Sequence, residues 1–156
     1  MPTKNIFHIT HSDPFKDSRI LNICESIGDI DKEYYQFIIG LNKRVSKTKK
    51  YSNKKIITLK LVGRLLPGYF SFIKKIFLII EFNINILIKC FSLRPKIVHC
   101  HDLSGLYIGI LAKLLFKSKF IFDAHELEAQ QPFVSPIEHI FITIYEFIPI
   151  LFCDNL

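Results

Sequence analysis

The chain has 156 residues, of which 49% are hydrophobic and 22% charged, a balance that excludes a disordered chain and allows one domain with a real core. Its 21 Lys and Arg against 14 Asp and Glu give a net charge of +7, which points to an anionic partner. The charge is concentrated: residues 34–101 hold 14 bases and 1 acid. Cys24, Cys90, Cys100 and Cys153 form no CxxC pair, which excludes a zinc knuckle or a thioredoxin motif. No apolar run precedes His8 and His11 that would make a secretory signal, so a cytoplasmic chain with reduced thiols is expected.

In chain order, residues 5–10 read as a β-rich run, and residues 11–17 as a polar loop. Ser18 is the expected N-cap of a helix carrying Ile20, Leu21, Cys24 and Ile27, with Gly28 as its stop. Residues 34–39 form a second strand, the basic stretch 42–53 a loop, and residues 56–62 a third strand. A Pro-Gly turn at 67–68 leads into a long helix over 69–93. That stretch contains Lys74, Lys75, Glu81 and Lys89, too many charges for a membrane span, so it reads as buried or interfacial. Strand 96–101, helix 105–116, strand 119–122 and a last helix over 136–152 complete the pattern.

Strands and helices alternate, and the strands are short and apolar without a clean period of two. The expected fold is α/β, with a mostly parallel sheet covered by helices on both faces. Ligands of such sheets sit beyond the carboxyl ends of the strands. The fourth strand ends in His99-Cys100-His101-Asp102 and the fifth in Asp123-Ala124-His125-Glu126, so these groups converge if the strands are neighbours. Three readings stay open on these residues alone. The histidines and carboxylates can ligate a metal, they can bind the hydroxyls of a polar ligand, or they serve the fold, with His99 under a helix and Asp102 as a cap.

The runs Lys96-Ile97-Val98-His99-Cys100-His101-Asp102 and Phe122-Asp123-Ala124-His125-Glu126, with Asp17-Ser18-Arg19-Ile20 near the start, resemble the amino-terminal domain of family 4-like glycosyltransferases. The resemblance implies a Rossmann-like half of a two-domain, retaining enzyme of the hexosyltransferase type, working without metal or other cofactor. It implies His125 and Glu126 as catalytic residues at the donor sugar, and Asp17, Arg19, His101 and Asp102 as residues lining the substrate cleft. Arg19, at a helix start, is placed to meet a phosphate. The loop 10–17 has no glycine, unlike the family's Gly-Gly loop that touches the donor diphosphate. The chain stops where the family's linking strand begins, so the resemblance implies a missing donor domain and no turnover by this chain alone.

Lys43, Arg44, Lys47, Lys49, Lys50, Lys54 and Lys55, together with an apolar helix surface at Phe70, Phe72, Ile73, Ile76, Phe77 and Ile80, read either as a solvated loop beside a core helix or as a peripheral membrane contact on an anionic surface. Nucleic acid is not the expected partner, because no binding module accompanies the charge. The reading that results is an acceptor-side domain for polysaccharide or glycolipid synthesis, using a nucleotide-sugar donor at the inner face of the plasma membrane. Its rivals are a non-catalytic partner that recruits a donor subunit to the membrane, and a metal-dependent hydrolase built on the His/Asp cluster.

Overall fold

A computed structural model describes residues 4–42, 44–65, 71–123, 143–144, 147 and 151–154. Six strands make one sheet in the order β3-β4-β2-β1-β5-β6. They are β1 (Lys4–Ile9), β2 (Tyr34–Leu41), β3 (Lys47–Lys50), β4 (Lys54–Leu59), β5 (Ile97–Cys100) and β6 (Lys119–Phe122). All neighbours are parallel except β3, which runs antiparallel to β4. The helices are α1 (Ser18–Ile30), α2 (Ser71–Leu93) and α3 (Leu106–Phe116), with short 3₁₀ turns at Val62–Leu65 and Leu103–Gly105. The expected mostly parallel α/β sheet with helices on both faces is therefore present.

Alternation along the strands sorts the core into two layers. Phe7, Ile9, Phe37, Ile39, Ile57, Val98, Cys100, Phe120 and Phe122 share one buried cluster with Phe82, Ile86 and Cys90 of α2 and Leu106, Ile108, Ile110 and Ala112 of α3. On the other face, Ile38 and Ile56 pack with Ile20 and Cys24 of α1. Gly109 lets α3 lie directly on β6: a Cβ there would collide with the Phe120 ring.

Four expectations need correction. The N-cap of α1 is Asp17, not Ser18, because the Asp17 carboxylate accepts from the Ile20 amide at 3.4 Å. Gly28 does not stop α1, which continues to Ile30; it makes room for the Asn53 side chain instead. The basic loop contains β3, whose four residues Lys-Thr-Lys-Lys are all exposed, so no buried face marks it in sequence. The last correction concerns α2. From Lys74 to Leu93 it is long and apolar enough to cross a membrane by length and composition, and only 17% of that window is buried. Phe82, Ile86 and Cys90, spaced by four, form the stripe that the sheet uses. Ile76, Phe77, Ile80, Ile84, Ile88 and Phe91 are exposed, and Leu111, Leu114 and Leu115 of α3 add to the same kind of surface.

Beyond β6, Asp154 donates its amide to the Phe120 carbonyl at 2.8 Å, and its carboxylate accepts from the Phe120 amide at 2.7 Å and from Lys113 Nζ at 2.6 Å. The outer edge of β6 is thereby partly occupied.

Candidate functional site

The carboxyl ends of β1, β2 and β5 carry a continuous polar network. Asp102, directly after β5, accepts from Thr10 Oγ1 at 2.6 Å and from the His11 amide at 2.8 Å, and it pairs with His11 Nδ1 at 3.1 Å. Thr10 Oγ1 meets Ser12 Oγ at 2.9 Å, and the Ser12 hydroxyl donates to Asp17 at 2.9 Å. Arg19 reaches the same Asp17 carboxylate at 3.4 Å. A chain of side chains thus ties the end of β5 to the first turn of α1 across the top of β1.

The carboxylates in this network are held ionised. Burial pushes Asp102 up, but hydrogen bonds from His11 and Thr10 and the charge of His11 outweigh it and bring its pKa down to about 2. Asp17 follows the same logic: burial raises it, while the Ser12 hydroxyl, Arg19 and the Ile20 amide hold it below its ordinary value.

Beside the network opens a cavity of about 630 Å³, lined by His11, Ser12, Asp13, Lys16, Leu41, Asn42 and Arg44. Asp13 accepts from Asn42 Nδ2 at 2.8 Å, so both side chains are fixed in its wall. A neighbouring cavity of about 540 Å³ shares Asp13, Lys16 and Asn42 and adds Lys47 and Lys49. Carboxylate, amide and hydroxyl groups thus stand next to cations in the walls of these two cavities.

A third arrangement lies on the α1 side of the sheet. His8 and His99 are register partners on β1 and β5, and His101 follows two residues on. Their ligand atoms all lie within 4.8 Å of one another, and His8 Nδ1 is 3.2 Å from His101 Nε2. Burial, then the neighbouring His99 and His101, push the His8 pKa well below its ordinary value, against a smaller opposing effect of Gln36. Burial raises the Cys24 and Cys90 thiols to about 12 and pushes Cys100 well above its ordinary value, so these three stay protonated and unreactive.

No family model matches this chain, and no curated protein matches its sequence. Among solved structures, the sucrose-phosphate synthase of Thermosynechococcus elongatus matches with a TM-score of 0.65 over 94% of this chain and 40% of that one, at 11% identity. The Rossmann-like α/β fold of this chain is thus shared with part of that synthase. The chain spans less than half the length of that synthase.

Within this fold the sequence-derived residues separate. Asp17 and Arg19 do meet Asp102 through the network, but Asp17 is a helix cap and Arg19 spends its guanidinium on it. Asp102 makes no cap hydrogen bond to the turn after it, because His11 and Thr10 hold it. It is therefore diverted from any shell around the histidines. His101 is buried with His8 and lies 3.6 Å from Asp123, away from the cavity lining. His125 and Glu126 lie outside the described residues. Sequence reading missed His8, which an isolated His in an apolar strand does not announce, and it missed the wall formed by Asp13, Lys16 and Asn42. The only signal for that wall was its place in the polar loop after β1.

Proposed function

We propose that this domain binds a phosphate-linked sugar acceptor for a glycosyltransferase, with a nucleotide-sugar donor held by a separate domain. The observation that carries the reading is the cavity at the carboxyl ends of β1 and β2, where Asp13 and Asn42 face Lys16 and Arg44 in a glycosyltransferase-like half-domain. Asp13 and Asn42 offer paired acceptors and donors to sugar hydroxyls. Lys16 and Arg44 offer charge to a phosphate, and the network from Asp102 to Arg19 fixes the loop that carries the cavity wall. The transfer itself would retain configuration, with positioning and stabilisation of the leaving diphosphate supplying most of the rate. His125 and Glu126 are proposed at the donor sugar, so His125→Ala should lower turnover once a donor domain is supplied.

The acceptor would be a polysaccharide precursor or glycolipid at the inner face of the plasma membrane. Support comes from the exposed apolar stripe of α2 and α3 and from the exposed lysines of β3. Lys54 leaves this basic surface: its side chain is 12% exposed, pairs with Glu25 at 3.4 Å and lies over Tyr51.

Titration by NMR with a short prenyl-diphosphate sugar tests the reading. Shifts should centre on Asp13, Lys16, Asn42 and Arg44, weaken with Lys16→Gln and Arg44→Gln, and be far smaller with the free sugar. A nucleotide sugar should bind poorly to this chain alone. Absence of shifts at the cavity with the prenyl-diphosphate sugar would sink the proposal.

A further inference from the structure

The three histidines on the α1 side of the sheet are not used by the acceptor cavity. We propose that His8, His99 and His101 form a binding site for one divalent transition-metal cation of the imidazole-preferring class, zinc above all.

The argument begins with spacing. Two imidazole nitrogens at 2.0–2.1 Å from a tetrahedral zinc stand about 3.3 Å apart. His8 Nδ1 and His101 Nε2 already stand at that spacing, 3.2 Å apart, and the third ring, whose ligand atom lies within 4.8 Å of theirs, must turn inward to join them. The scaffold is stiff, since His8 and His99 are register partners on adjacent parallel strands in the middle of the sheet. No coil-to-site ordering is required.

The surroundings orient the rings as outer partners of metal ligands do. His101 Nδ1 lies 3.6 Å from Asp123 Oδ2, on the side of the ring away from His8. Gln36 is buried and locked by donating Nε2 to the Cys24 carbonyl at 2.7 Å. Its Oε1 and His8 Nε2 are both buried without a hydrogen-bond partner. A bound cation requires His8 and His101 to carry their protons on the outer nitrogens, which frees the inner nitrogens, 3.2 Å apart, to give it their lone pairs. The cation would take the place of the hydrogen bond that the two rings share without it.

Three neutral nitrogens and no carboxylate in the inner set favour zinc, copper, nickel or cobalt over magnesium or calcium. Asp102 does not complete the set, because Thr10 and His11 occupy it. The bound cation would cross-link β1 to β5 and so steady the strand ends beneath the polar network. This site is independent of the acceptor reading and can stand if that reading falls.

Cobalt(II) is the probe. The chelator-stripped full chain, titrated with cobalt(II), should develop visible ligand-field bands that saturate at one ion per chain and vanish when zinc is added. Zinc should raise the melting temperature of the same sample. His99→Asn, at the least buried of the three rings, should abolish the bands, and Asp123→Asn should weaken affinity by about 10–100-fold while keeping them. If His99→Asn fails to fold, nitrogen-15 shifts of the wild-type imidazoles decide. Zinc must then move His8 Nδ1 and His101 Nε2 together. A silent wild type, bands that survive in His99→Asn, or thiolate charge-transfer bands from a cysteine would each overturn the site. So would nitrogen-15 shifts showing a proton shared between the two rings in the presence of zinc.

Discussion

On the α2/α3 face of the sheet, eighteen described residues from Phe7 to Phe122 form one buried apolar cluster, whereas the cluster under α1 has four. The α1 face instead buries His8, Gln36 and Thr58. The opposite imbalance appears on the outside. α1 exposes mainly polar residues with Ile30 at its end, while α2 exposes a row of isoleucine and phenylalanine from Ile76 to Phe91. Burial of apolar surface and hydration of polar surface are what the fold alone rewards. Polar groups under α1 and apolar groups outside α2 both run against that reward, and these are the places proposed for a cation and for a membrane surface.

The comparison breaks most visibly at the shared core. Phe82→Ala removes the largest side chain that α2 commits to the sheet, and it should cost about 3–5 kcal/mol. Urea denaturation measures it, and a loss no larger than that of a surface change would mean that α2 is not anchored through this stripe.

Acid titration sharpens the polar side. Asp102 titrates at about 2 in the folded chain against an ordinary value of 3.8, so its contribution, roughly 2 kcal/mol, is complete above pH 4 and disappears as the pH falls toward 2. Asp17 shifts in the same direction and adds to the same acid limb. Asp102→Asn should flatten that limb in a stability profile taken between pH 5 and pH 2, and an unchanged profile would contradict the network.

The apolar outside should separate attachment from stability. The double change Ile84→Ser and Ile88→Ser alters exposed positions, so stability should move by no more than about 0.5 kcal/mol per site. Sedimentation with anionic liposomes should nevertheless fall sharply. Lys47, Lys49 and Lys50 changed to Gln should remove the salt-sensitive part of the attachment. Equal sedimentation of all variants would leave α2 without its proposed surface. The smallest effect belongs to Arg19→Ala, where an exposed 3.4 Å pair with Asp17 should be worth less than about 1 kcal/mol by thermal denaturation.

Much of this architecture was legible in the sequence, because parallel strands buried on both faces leave continuous apolar runs such as Phe37-Ile38-Ile39 and Ile97-Val98. β3 was not legible. An exposed edge strand of Lys-Thr-Lys-Lys buries nothing, so only its pairing with β4 reveals it. The triad of histidines was half visible: His99 and His101 stand in one motif, but His8 joins them through strand order, which places β1 beside β5. Asp102 was found, but its reading as a cap fails, because its partners Thr10 and His11 are contributed by a loop 91–92 residues away in sequence.

The two margins of the sheet have a consequence for self-association. At β6, Asp154 already occupies backbone groups of Phe120 that a second molecule would need. At β3 the backbone row is guarded only by charge, since a second copy pairing there would set lysines against lysines. The side chains proposed to meet an anionic bilayer would therefore also oppose edge-to-edge pairing of two copies. Any anionic surface that neutralised these lysines would weaken that repulsion and leave the β3 edge open to pairing.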